Sequence, residues 1–279
     1  MIDHWIMFGP IVLTGAAVGA GTGLLGVQIV GMRIPLIGVC VSHAAMAGAV
    51  FAHVAAGWMG VADADREMLV TAGALLGAML AAVPLAVFDP RRLRLDPNVV
   101  LGVVLSLTMG LTFLGIGLNP RGVTPLVSLL WGSLLYTTAA DRVLIGLSAG
   151  GLGLFMILFY KELRAILFSR DLARAGGVHV GLVWTGFLML AAVTIAVSLK
   201  GVGGLMIFAL LSNPAAAAAQ LVRGYGRLLV TSAALGAVSA VGGFYASYAL
   251  DLPVGACIVL ASSALLGLSL IAGMVRRIQ

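Results

Sequence analysis

The chain carries 279 residues, 61% of them hydrophobic and 9% charged, with a formal net charge of +6 and a mean hydropathy of +1.14. Soluble domains carry about 25% charged residues, so the composition excludes a soluble protein and reads as an all-α polytopic membrane protein with about eight or nine transmembrane helices. At about 20 residues per span no separate soluble domain fits. The basic residues sit in short loops without an interleaved aromatic stripe, which excludes a nucleic-acid partner.

Nine apolar segments follow in chain order, at 6–30, 34–57, 68–88, 99–118, 141–160, 180–199, 201–221, 228–250 and 253–274. The N-terminal Met1-Ile2-Asp3-His4-Trp5 lacks the positive n-region of a cleavable signal. The first segment is therefore expected to act as its own insertion signal. Turn chemistry separates several segments: Asp89-Pro90, Asp96-Pro97-Asn98, Asn119-Pro120-Arg121-Gly122 and Asp251-Leu252-Pro253. The run 123–137 is too short and interrupted to span, and reads as an interfacial or re-entrant helix anchored by Trp131 and Tyr136. Asp63, Asp65 and Glu67 read as an acidic outer loop, solvated or serving as a cation funnel or docking surface. Pro214 is expected to mark a helix discontinuity, because proline removes a backbone hydrogen bond and crowds the preceding turn. Segments 180–199 and 201–221 could also be one fused span near Gly201.

With nine spans, alternate loops share a side. One side collects Arg33, Arg91, Arg92, Arg94, Lys161, Arg164, Arg170, Arg174, Arg223, Arg227, Arg276 and Arg277; the other holds Arg66, Arg121, Arg142 and Lys200. The positive-inside rule then places the N-terminus outside and the C-terminus in the cytoplasm. Gly15, Gly19 and Gly23, and likewise Gly146 and Gly150, form small-xxx-small steps expected to let helices pack closely.

His43 is the sharpest chemical candidate. An imidazole inside an apolar segment costs free energy unless it faces the bundle interior or a pathway. Cys40 at i−3 and Met46 at i+3 share its face, and such a set suits a soft or borderline ion. A packing histidine is the plainer alternative. Cys40 and Cys257 lie within apolar segments with no CxxC, so a disulfide is not expected and inert thiols are the plain reading. The stretch 161–178 mixes both signs with good helix formers and stops at Gly176-Gly177. It reads as a solvated connecting helix or as one that docks a partner. No G-x-x-x-x-G-K-[ST] occurs anywhere in the chain.

Several of these runs resemble the permease subunits of metal-ion ABC importers of the zinc, manganese and iron type. Gly38, Ser42, His43 and Gly48 match that family's Gly-Asp-x-x-Ser-His-x-x-x-x-Gly motif, with Val39 at the Asp position. The stretch 161–178 keeps Lys161, Glu162, Leu163, Phe168, Asp171, Ala173, Ala175 and Gly177, and departs at Ser169 and Arg170, where relatives often carry Asp-Pro. Gly201 to Ala216 matches the Val-Gly-x-Leu-Leu…Ala-Leu-Leu…Pro-Ala-Ala pattern, and Pro253 to Val259 matches the entry to the last span. A polar fourth-span position corresponds to Ser106.

The resemblance implies a single permease domain over 1–279 in a bacterial inner membrane, with no enzyme activity and no permanently bound cofactor. It implies a translocation pathway including Cys40, Ser42, His43, Met46, Asn213 and Pro214. It implies that a separate ATPase docks on a coupling helix within 161–178 through Glu162, Phe168, Arg170, Asp171, Ala175 and Gly177. A second permease copy, two ATPase copies and an extracytoplasmic metal-binding protein complete the implied assembly. The implied cargo is zinc first, then manganese or iron. A metal chelate is the alternative within transport, and an intramembrane enzyme the alternative outside it.

Overall fold

The computed structural model describes residues 2–87, 97–118, 132, 134 and 137–278. The turns at 89–90 and 119–122, most of the expected interfacial helix with Trp131 and Tyr136, and Arg91, Arg92, Arg94 and Arg121 lie outside the described residues.

Eleven helices are described: α1 (Ile2–Gly31), α2 (Leu36–Trp58), α3 (Asp63–Val87), α4 (Pro97–Gly117), α5 (Ala139–Leu158), α6 (Tyr160–Phe168), α7 (Arg170–Ala175), α8 (Val180–Val202), α9 (Gly204–Leu221), α10 (Tyr225–Leu250) and α11 (Val254–Ile278). Eight are long and apolar enough to cross a membrane, and Met206–Leu221 within α9 is a shorter apolar helix. Only helices satisfy their own backbone groups in hydrocarbon, which is why this composition folds as a helical bundle.

Direction follows from contacts. Gly204 lies against Met46, Leu211 against Gly26 and Gly38, and Gln220 against Gly273. α9, seventh of the apolar helices in chain order, therefore runs back toward the end where α1 finishes and α2 begins. Segments 180–199 and 201–221 are not fused: Gly203, at φ 88 and ψ 146, separates α8 from α9. That φ is open to glycine and strained for other residues. The discontinuity expected at Pro214 is thus displaced. α9 continues through Asn213 and Pro214, and the chain breaks eleven positions earlier, where glycine permits a turn.

Backbone contact through glycine holds the centre together. Positions for a Cβ on Gly19 and Gly26 fall on the carbonyl oxygens of Gly236 and Leu211, and Gly23 meets Ser232 O at 2.5 Å. Gly48 and Gly77 similarly bring α2 against α3. Gly146 and Gly150 depart from the expected role: among the described residues, nothing lies within 4 Å of either Cβ position. That small-residue step on α5 faces open space.

At the end opposite α6 and α7, the supposed acidic loop is the first turns of α3. Carboxylates favour a helix start because the exposed N–H groups and the dipole are positive there. Glu67 is not merely solvated. Lys200 Nζ bonds Glu67 Oε1 at 3.1 Å and Asp141 Oδ1 at 3.1 Å. Asp141 also closes a capping box with Thr138, accepting from its backbone N–H at 3.1 Å. One lysine on α8 thereby joins the starts of α3 and α5.

Two outcomes test this packing. Gly19→Val is expected to destabilise the detergent-solubilised chain by about 1–3 kcal/mol through overpacking, whereas Gly146→Val leaves the thermal midpoint unchanged. Lys200→Met is expected to cost about 1.5–3 kcal/mol, the range for a hydrogen bond to a charged partner. Glu67→Gln costs less than about 1 kcal/mol because Glu67 is itself exposed. Thermal melts monitored by size-exclusion chromatography measure all four.

Candidate functional site

α2 carries the first group of candidates. Its run Gly38 to Ala47 is apolar or small apart from Ser42 and His43, so α2 can be surrounded by α3, α4, α8 and α9. His43 is 2% exposed, and its Nδ1 lies 3.1 Å from Val39 O one turn back. Thr112 on α4 reaches His43 O at 3.5 Å. Ser42 Oγ donates within the helix to Gly38 O at 2.8 Å. Cys40 Sγ donates to Leu101 O on α4 at 3.0 Å, so the thiol is engaged with α4. Met46 lies against Gly204. From Ile37 to Ala47 only Val39 is part-exposed. The face bearing His43 thus reaches the chain surface at the position of the missing carboxylate. Among the described residues, no three His, Cys, Asp or Glu side chains group closely enough to hold a metal ion.

Ser106 is exposed and donates to Gly102 O at 2.9 Å within its own helix. It does not join the α2 group. Asn213 forms a separate polar group, its Nδ2 donating to Ser262 and Ser263 Oγ on α11, each at 3.1 Å. Half-buried Asn213 and exposed Ser263 leave polar atoms on an otherwise apolar face. In lipid such groups are expensive unless water or protein covers them. Pro214 adjoins them on α9, where Ala215 touches α1 at Gly26.

The stretch 161–178 forms two short helices, α6 and α7. Ser169, extended at φ −162 and ψ 123, ends α6 and caps α7 by accepting from Leu172 N at 3.3 Å. Serine is among the preferred N-caps, so Ser169 serves as a helix start even though Arg170 replaces the family's proline. α7 ends at Ala175, followed by Gly176 and by Gly177 at φ 84, where the Gly-Gly pair was expected to stop it. Arg170 lies over the Trp184 ring at 4.8 Å, fastening α7 to α8. Asp171 pairs with Arg174 at 3.3 Å. Glu162, Phe168, Leu172 and Gly176 help line a groove of about 280 Å³. Phe168 is 83% and Leu172 65% exposed.

Sequence reasoning passed over Gln28. It is fully buried near the end of α1, donates to Leu163 O on α6 at 3.0 Å, and accepts from the Tyr225 hydroxyl at 3.2 Å. A glutamine among apolar residues five positions before Arg33 was the available signal.

The fold has known counterparts. The structure superposes on a chain of PsaBC from Streptococcus pneumoniae, solved in complex with Fab, with a TM-score of 0.80 over 96% of this chain and 93% of that one, at 22% identity. In sequence it is 31% identical to the zinc transport system membrane protein TroC of Treponema pallidum, over 84% of this chain and 77% of the relative. It is 29% identical to the manganese transport system membrane protein MntC of Listeria monocytogenes, over 90% and 85% respectively. Residues 5–273 match the model of the ABC 3 transport family. With a bundle, a paired short helix and a histidine-bearing second helix all accounted for across that length, the chain belongs to the ABC 3 transport family.

Proposed function

We propose that this chain is the membrane-spanning subunit of an importer for a divalent transition-metal ion, zinc first among zinc, manganese and iron. The carrying observation is the family match over 5–273 in a chain with no nucleotide-binding motif. A separate ATPase subunit therefore supplies hydrolysis, and an extracytoplasmic binding protein delivers the ion. An intramembrane enzyme is dropped, since the relatives are transport components. The domain is one membrane unit over 1–279, paired with a second copy around the pathway.

The basic end of the bundle, bearing α6, α7, Arg33 and Arg223, faces the cytoplasm of a bacterial inner membrane. The ATPase docks on the stretch 161–178, seating apolar groups against the exposed Phe168 and Leu172. Hydrophobic side chains this exposed at a polar bundle end suit a protein partner. Glu162, Arg170, Asp171, Ala175 and Gly177 shape that surface. ATP-driven closure of the ATPase pair moves it, and the bundle alternates between its outward and inward openings.

Within the pathway the ion passes the surface at Val39 and meets His43, with Cys40, Ser42 and Met46 around it. In the present arrangement α4 closes over that face, so α2 and α4 part before the ion reaches the imidazole. Asn213 and Pro214, with the serines of α11, line the path on the α9 side. With valine in place of aspartate, the ion is held weakly inside the membrane, and selectivity rests on the protein that delivers it.

Uptake into liposomes holding the permease, its ATPase and its binding protein tests this. ATP-dependent accumulation of radioactive zinc is expected. His43→Ala should lower it at least about tenfold, the equivalent of 1.4 kcal/mol, while the ATPase still co-purifies. Val39→Asp should raise the metal content of the purified permease. Wild-type uptake by the alanine variant would remove His43 from the pathway.

Val39 and the lack of a clustered ligand set among the described residues support a second reading, in which the cargo is a metal chelate. Uptake of the chelated but not the free ion would select it. For the docking surface, Glu162→Lys with Asp171→Lys is expected to abolish transport per ATP hydrolysed without aggregation of the permease. Unchanged coupling in liposomes refutes docking through these carboxylates.

A further inference from the structure

Three segments far apart in sequence meet at one side chain. Gln28 Nε2 donates to Leu163 O, 135 residues away, and its Oε1 accepts from Tyr225 OH, 197 residues away. Leu163 is in the middle of α6, where its carbonyl already has a helical partner available; the second lone pair takes the amide. Tyr225 is the first residue of α10 and its ring lies 5.1 Å from that of Tyr160, the first residue of α6. The Tyr160 hydroxyl approaches within 3.0 Å of a Cβ position on Gly226, and Leu167 within 2.6 Å of one on Gly31. α6 is therefore gripped between the end of α1 and the start of α10.

Those two helices form one body. Gly19 and Gly23 meet Gly236 and Ser232 at backbone contact, and Ser232 Oγ donates to Gly23 O at 2.6 Å. Close packing transmits displacement, because such interfaces shift between discrete arrangements and do not deform freely. Apolar contacts around α6 allow sliding, whereas a directional bond at each end of a fully buried amide does not.

We propose that Gln28 is the positioning residue that passes movement of α6 to the α1–α10 pair, acting through Leu163 O and Tyr225 and touching neither cargo nor ATPase. This rests on the docking of an ATPase at 161–178. Gln28 is then needed to convert hydrolysis into transport, and is not needed for docking.

The test uses the permease co-purified with its ATPase and reconstituted with its binding protein, in three forms: wild type, Gln28→Met and Tyr225→Phe. Methionine keeps the length and burial of glutamine and loses both bonds; phenylalanine loses one hydroxyl. Phe168→Cys crosslinking to the ATPase is scored first, in a separate variant. If no crosslink forms, the docking assignment fails, whatever Gln28 does. With the crosslink present, Gln28→Met is expected to retain ATPase association and hydrolysis within about twofold and to lose about tenfold in ions moved per ATP, a change worth 1.4 kcal/mol. Tyr225→Phe should lose less, and the double variant no more than Gln28→Met, since both act through one connection. Wild-type transport per ATP in a folded Gln28→Met complex overturns the proposal. So does an equal fall in hydrolysis and transport, which marks a structural role only. If Gln28→Met does not fold, Tyr225→Phe decides: wild-type transport per ATP overturns the proposal, and a reduced ratio with an unchanged melting temperature upholds it.

Discussion

The bundle depends on α1 coming within backbone contact of α9 and α10. In hydrocarbon, apolar side chains gain little from leaving lipid for protein, so helix association comes from close packing and hydrogen bonds. Gly19, Gly23 and Gly26 remove the side chains that would keep the axes apart, and the carbonyls of Gly236, Ser232 and Leu211 fill the space. Gly48 on α2 and Gly77 on α3 let those two helices approach in the same way. Helices lacking such contacts are more exposed: α4 packs chiefly on α2 and shows Val103, Leu107 and Phe113 outward.

The two ends of this frame are fastened by different chemistry. Lys200 spans Glu67 and Asp141 at one end, and Gln28 spans Leu163 and Tyr225 at the other. The charged joint is exposed to water and salt at Glu67 and nearly buried at Asp141, so only its outer arm is screened. The neutral joint is buried, where an amide without partners would be costly. A transporter needs both a firm frame and ends that rearrange, and this division allots one polar connection to each end. Between them His43 on α2 is covered while Val39 on the same face reaches the surface, and the polar group around Asn213 remains partly open.

Much of the fold could be read from the sequence because lipid imposes simple rules. Hydropathy located the spans to within a few residues, and the Gly15–Gly23 stripe and the Gly176-Gly177 stop were visible as local patterns. Membership of a metal-transport family was legible in the Ser42-His43 run and its relatives. The errors came from partners distant in sequence. Glu67 looked like a solvated loop because Lys200 lies 133 positions away. Pro214 attracted the helix break, yet a proline is accommodated where tight packing surrounds the helix, and Gly203 turns the chain instead. Gly146 and Gly150 matched a motif without having a close neighbour among the described residues. Gln28 carried no motif at all, since its meaning depends on a carbonyl and a hydroxyl that only the folded bundle brings together.

The hydrogen bonds of Asn213 bear on how the chain enters the membrane. α9 has only 18 residues, or about 27 Å at 1.5 Å per residue, and it carries Ser212, Asn213 and Pro214 mid-length. Its partners Ser262 and Ser263 lie 49 and 50 residues later, so at roughly 5–20 residues per second they emerge about 2–10 s after Asn213. During that interval the asparagine has no serine to bind. Until α11 is made, α9 lacks the partners that this amide has in the finished bundle. α11 thus completes a polar contact that began two helices earlier, and a chain cut short before Ser262 would leave the Asn213 amide on α9 without these two partners.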